Sequence, residues 1–134
     1  MSSIAELAAR CEALEAGYEF MLAYAGQGLP TEPAGSSAGS IRDFLQKMDA
    51  ALGDLADVFR GAVREEQLQP VEKYEAFLAV LERDARDARA AIQLGLAQPS
   101  ISSQLVDNLN ASIHLRALLT DLFLVDEIIK TYVK

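Results

Sequence analysis

The sequence predicts an all-α protein, an antiparallel (up-down-up-down) four-helix bundle with a long, strongly apolar C-terminal helix. Three observations predict it. Apolar residues recur at spacings of three and four along most of the 134 residues, the period of a helix face. No segment alternates apolar and polar residues as a half-buried strand does. Glycine, proline and serine clusters punctuate the chain in three places, two of them too short for anything but an antiparallel return. A single domain over 1–134 follows, with helices at about 4–26, 40–67, 71–97 and 101–133 and a flexible loop at 27–39.

The first helix opens on Ser3-Ile4-Ala5-Glu6, a capping box in which side chains satisfy orphan backbone donors. Ile4, Leu7, Cys11, Leu14, Tyr18, Met21 and Ala25 form its seam, and Glu6 and Arg10 pair one turn apart outside it. Gly26 to Gly28 stops it. Pro30, Pro33, Gly35 and Gly39 mark the loop, with Ser36 and Ser37 inside it. Ser40 with Asp43 caps the second helix, whose seam runs through Ile41, Phe44, Met48, Ala51, Leu55, Val58 and Ala62 to an end near Gln67-Leu68-Gln69. Pro70 suits the first turn of the third helix, where a missing N–H costs nothing. Val71, Tyr74, Leu78, Leu81, Ala85, Ala88 and Ile92 form that seam, and Gly95 to Pro99 breaks it. Ser100 caps the fourth helix. Gly17, Gly53 and Gly61 fall inside helices, where each costs about 1 kcal/mol relative to alanine; they are read as tolerated within a stable bundle.

The fourth helix is the most informative element. Twelve of the nineteen residues from Leu115 to Val133 are apolar, far more than the stripe that one packed face requires. Its polar residues retreat to a narrow line, so most of its circumference has to be covered, by the bundle and by another chain. Leu118, Leu122, Phe123, Val125, Ile129 and Tyr132 are the expected interface.

Composition narrows the function classes. Hydrophobic content of 51% and charged content of 24% describe a globular chain, neither disordered nor membrane-spanning. Twelve Lys and Arg against twenty Asp and Glu give a net charge of −8, which disfavours nucleic acid and anionic membrane surfaces as partners. No window of about twenty residues is free of charge, so membrane insertion is not expected. The N-terminal segment lacks the basic and uninterrupted apolar regions of a signal peptide, and the expected location is cytoplasmic. Cys11 is the one cysteine, which excludes an intrachain disulfide and a thiolate metal cluster.

His114 is the one histidine. Asp107, His114 and Asp121 share a helical stripe, but residues seven apart lie about 10 Å apart along the axis, too far for both carboxylates to reach one imidazole. A di-iron bundle needs two Glu-x-x-His pairs; Ala111 stands three residues before His114, so that centre is excluded. Glu12, Glu15 and Glu19 crowd the first helix and read as a solvated face. Cys11 lies on the seam with no nearby cation to lower its pKa, and reads as a structural thiol. No metal or cofactor is expected. The polar interruption Asp107-Asn108-Leu109-Asn110-Ala111-Ser112 brings Asn108 and Ser112 to an inward seam, where with His114 they form a candidate ligand site or fix helix register.

The preferred function is therefore a non-enzymatic helical interaction protein, an adaptor, assembly factor or small chaperone. It is expected to form a homodimer and to grip an amphipathic segment of another protein. Small acidic helical export chaperones are similar in size and charge, a likeness of class. The alternatives are a small-ligand- or metal-binding bundle at Asn108, Ser112 and His114, or histidine phosphotransfer at His114. Phosphotransfer domains place a lysine three residues after the histidine and then a small residue; here Arg116 comes second and Leu118 fourth.

Overall fold

Ser2, one residue before the expected cap, starts the first helix by accepting the Ala5 N–H at 3.2 Å. Ser3 is thereby free to donate its N–H and its hydroxyl to the two carboxylate oxygens of Glu65, at 3.0 and 2.7 Å. The computed structural model describes residues 2–33 and 40–132. Of the loop expected at 27–39, residues 34–39, with Gly35, Ser36, Ser37 and Gly39, lie outside the described residues, as do Met1, Val133 and Lys134. The described residues form an all-helical fold with six helices, not four, and no strand.

Helix α1 (Ser3–Gly26) buries Ile4, Leu7, Cys11, Leu14, Gly17, Met21 and Tyr24. Glu6 and Arg10 pair at 3.0 Å, as their spacing predicts. The second expected helix is two, α2 (Ile41–Leu52) and α3 (Leu55–Glu65), because the chain leaves helical geometry at Asp54, with φ −134° and ψ 33°. Gly53 is a poor helix former, and the break is stabilised from outside. Arg10 Nη1 donates to the Ala51 carbonyl at 3.1 Å and to Asp54 Oδ1 at 2.6 Å, so a carbonyl released from the helix keeps a partner.

Helix α3 closes in a Schellman arrangement. Gln67 is left-handed, with φ 52°, and the Leu68 N–H returns to the Val63 carbonyl at 3.0 Å. The Gln69–Pro70 peptide is cis. Pro70 occupies the cap position before α4 (Val71–Leu96), not its first turn.

The long fourth helix is also broken. Ser102, not Ser100, caps α5 (Ser103–Ala111), accepting the Leu105 N–H at 3.0 Å. Ser112, with ψ 130°, then ends α5 and caps α6 (Ile113–Ile129) by accepting the His114 N–H at 3.3 Å. A serine is well suited to that place because its hydroxyl competes for backbone donors.

Helix α1 packs on α2, α3, α5 and α6, and α4 packs on α2, α3, α5 and α6. Helix α6 therefore lies between α1 and α4. Leu7, Leu14, Met48, Phe59, Leu81, Ile92, Leu115 and Leu122 fill one continuous core. Each such side chain removed from water contributes about 2 kcal/mol. Gly17 is a point of close approach, since a Cβ there would meet Met48 Cγ and Sδ at 2.5 Å; tolerance alone does not explain it.

The described part of the 27–39 loop is held by the body of the protein. Ser103 is buried, and its hydroxyl donates to the Tyr24 carbonyl (2.6 Å) while accepting the Leu29 N–H (2.8 Å). Its own N–H donates to the Leu29 carbonyl at 2.8 Å. Tyr24 donates its phenol to the Ile101 carbonyl at 2.5 Å, and Ser100 Oγ accepts the Glu32 N–H at 2.8 Å. Among the described residues no helix is long and apolar enough to cross a membrane.

Candidate functional site

Helix α6 is too apolar for one packed face, and the fold covers only part of the excess. Leu118, Leu122, Val125 and Ile129 are buried in the chain's own core against α1 and α4. Four of the six expected interface residues thus already have intrachain partners. Phe123 and Tyr132 point outward, at 53% and 41% exposure, and the structure adds Ile113 (75%) and Leu124 (51%) to them. The outward set was obscured in the sequence because an almost uniformly apolar helix has little periodicity to reveal its phase.

Asn108, Ser112 and His114 are not gathered into one interior site. Asn108 is exposed and accepts a bond from Gln104 Nε2 at 3.1 Å. Ser112 is the α6 cap, and His114 is exposed in the first turn beyond it. The inward phase assumed one continuous helix; the break at Ser112 rotates α5 relative to α6. The polar side chain turned inward is Asn110, whose amide oxygen and nitrogen are both shielded from solvent without a hydrogen-bond partner.

Glu12 and Glu19 are exposed and Glu15 is half-buried, as a solvated face with Glu15 on its flank predicts. With Asp126 they line an open cleft of about 450 Å³ between α1 and α6, together with Ala8, Ala16 and Ile129. Glu15 is raised above the usual carboxylate range, first by burial and then by Asp126, Glu19 and Glu12. Lys130 also lines the cleft and pairs with Glu127 at 2.6 Å. Beneath it, burial pushes the Cys11 thiol up to about 12, with Asp126 and Glu15 adding to the effect. Among the described residues no three His, Cys, Asp or Glu side chains converge as metal ligands would.

A second acidic feature lies on the other side of α6. Asp121 meets Asp84 of α4 and is pushed up to about 7, by burial first and then by the Asp84 carboxyl. With both groups ionised neither can donate, and Asp121 Oδ2, shielded from solvent, has no hydrogen-bond partner. One proton shared by the pair turns the contact into a hydrogen bond. The sequence showed Asp121 only as a stripe partner of His114; its actual neighbour lies on another helix, which no local pattern records.

No protein-family model, no curated protein and no solved structure matches this chain.

Proposed function

We propose that this protein is a non-enzymatic helical interaction protein, an adaptor, assembly factor or small chaperone of the cytoplasm, that holds an amphipathic segment of another protein on the outward side of α6. The supporting observation is the exposure of Ile113, Phe123 and Leu124 on α6 and of Tyr132 just beyond its end, on an element whose other large apolar residues are buried or half-buried. Large apolar side chains concentrated on one element mark an association surface. In this reading the α2/α3 and α5/α6 pairs each act as one broken rod, with α1 and α4 as the others, in an up-down-up-down four-helix arrangement.

The same face serves self-association, and the homodimer is part of the proposal. The test is absolute mass by light scattering from micromolar to several hundred micromolar protein, with Phe123→Glu/Leu124→Glu as the comparison. A concentration-dependent dimer that the double variant abolishes supports the reading. A strict monomer that also fails to bind amphipathic helical peptides removes it.

A second reading attaches to His114, because phosphotransfer requires the exposed imidazole that the structure displays. Incubation with a phosphorylated receiver domain tests it, and absence of acid-labile phosphate on the chain ends it.

A further inference from the structure

The end of α3, the turn that follows it and the start of α4 line an open cleft of about 590 Å³, a volume in the range of ligand sites. Its apolar lining is the edge of the core: Val63, Leu68 and Leu78 are buried, and Val71 is 38% exposed. Its polar lining runs against the character of a chain that carries −8. Two arginines, Arg60 and Arg64, and two glutamines, Gln67 and Gln69, stand there against one carboxylate, Glu75. Arg60 gives Nη1 to Asp57 and keeps its other donors. Arg64 is exposed and forms no ion pair among the described residues. The neighbouring carboxylate, Glu65, has both oxygens on Ser3.

Gln67 supplies a second, independent observation. Its backbone is left-handed, with φ 52°, at the position just past the α3 cap where glycine is the usual choice. A glutamine is strained there, and its side-chain amide bonds nothing among the described residues although it lines the cleft. Strain of this kind clusters at ligand clamps.

We propose that this α3–α4 cleft binds the free C-terminus of another polypeptide, one whose last side chain is apolar. The arginines suit a terminal carboxylate, which accepts two parallel bonds from a guanidinium. Each glutamine amide offers both donors and an acceptor, as the last N–H and C=O groups of a peptide require. The apolar lining receives the side chain. A fatty carboxylate would leave both glutamines unused, so the chain end is the better fit. No residue of α6 lines the cleft, and the site does not rest on the interaction reading above.

The probes are two five-residue peptides ending in leucine, labelled alike at the N-terminus, one with a free carboxylate and its twin amidated. Binding is read by fluorescence anisotropy. The free carboxylate should bind about tenfold more tightly than the amide. Arg64→Gln should erase that preference, whereas Arg86→Gln, at an exposed arginine of α4 outside the cleft, should leave it intact. Gln67→Gly should weaken both peptides about threefold without lowering Tm, because glycine relieves the left-handed backbone. Phe123→Glu/Leu124→Glu, which alters the outward side of α6, should change nothing here.

Equal affinity of the two peptides, or a preference that survives Arg64→Gln, overturns the proposal and leaves the α6 reading untouched. A preference lost equally with Arg86→Gln overturns it too, because general charge attraction then explains the binding. Binding lost with Phe123→Glu/Leu124→Glu would place the peptide on α6, and octanoate that displaces the peptide at equal concentration would make the cleft a fatty-carboxylate site. Either result overturns the assignment to a chain end.

Discussion

Arg42 grips Glu32 through two parallel bonds, Nε to Oε2 at 3.1 Å and Nη2 to Oε1 at 2.8 Å. The same guanidinium donates to the Leu96 and Gln98 carbonyls at 2.7 and 3.0 Å, which the end of α4 leaves without helical partners. Glu32 Oε1 also accepts the Ile101 N–H at 3.0 Å. One ion pair thus ties the segment after α1 to the start of α2, the end of α4 and the approach to α5. Arg42→Ala strands a mostly buried carboxylate and two carbonyls, and should cost about 3 kcal/mol in urea unfolding. Arg42→Lys should recover less than half, because an ammonium cannot reproduce the fork. A loss below about 1 kcal/mol would mean that water replaces the guanidinium without penalty.

The pH dependence of stability should be two-sided. Arg42 holds Glu32, and Arg10 holds Asp54, below the usual carboxylate range. Those two groups favour the fold above about pH 4, and their contribution is lost as pH falls through their folded values. Asp121 acts in the opposite sense. Its carboxyl, pushed up to about 7, favours the fold below about pH 4, and that advantage is lost as pH rises from about 4 to about 7. Glu15, raised in the acidic cleft, has the same sign. The melting temperature should therefore peak near pH 5 and fall by about 5 °C by pH 8, on the order of 1–2 kcal/mol after solvent screening. In Asp121→Asn the alkaline side should flatten. A wild-type profile that rises steadily from pH 5 to 8 would show that the two carboxyls do not share a proton.

Helix content was legible in the sequence wherever periodicity was strong: Leu7, Cys11, Leu14, Leu78, Leu81 and Ile92 all fall in the core as their spacing predicts. The two breaks were present only as residue types. Gly53-Asp54 and Ser112 are compatible with a continuous helix, and what opens the chain at Asp54 includes Arg10, forty-four positions away. Caps shifted by one or two residues for the same reason, since Ser2 and Ser3 are equal candidates until Glu65 claims Ser3. The candidate site was least legible. Which side of α6 faces outward depends on where α1 and α4 lie, and the Asp84–Asp121 contact joins two helices that no local spacing relates.

Gly17 gives a sharp test of how closely α1 and α2 approach. Alanine there should gain about 1 kcal/mol of helix propensity, yet its Cβ would lie 2.5 Å from Met48 Cγ and Sδ. Met48 is fully buried, so its inner atoms cannot swing into solvent. Overpacking of this kind costs about 1–3 kcal/mol or more, and Gly17→Ala should be net destabilising by about 1–2 kcal/mol. Gly26→Ala is the control, since nothing lies within 4 Å of its added methyl; it should be neutral or slightly stabilising. Equal effects at the two positions would show that Met48 repacks freely.

Cys11 reports on the integrity of the α1–α6 contact. Its thiol is fully buried, and burial, Asp126 and Glu15 together push it up to about 12. The thiolate is the reactive form, so at pH 8 almost none is present and none is accessible. An aromatic disulfide reagent should leave the native protein unlabelled over hours and label it at once in denaturant. Because the shielding comes partly from the α6 end of the fold, labelling in native buffer should follow local detachment of α6, not global unfolding. Leu122→Ala, a buried truncation costing about 2–5 kcal/mol, should therefore accelerate labelling more than Arg42→Ala does at equal loss of global stability. Equal acceleration by the two variants would mean that Cys11 is exposed only when the whole chain unfolds.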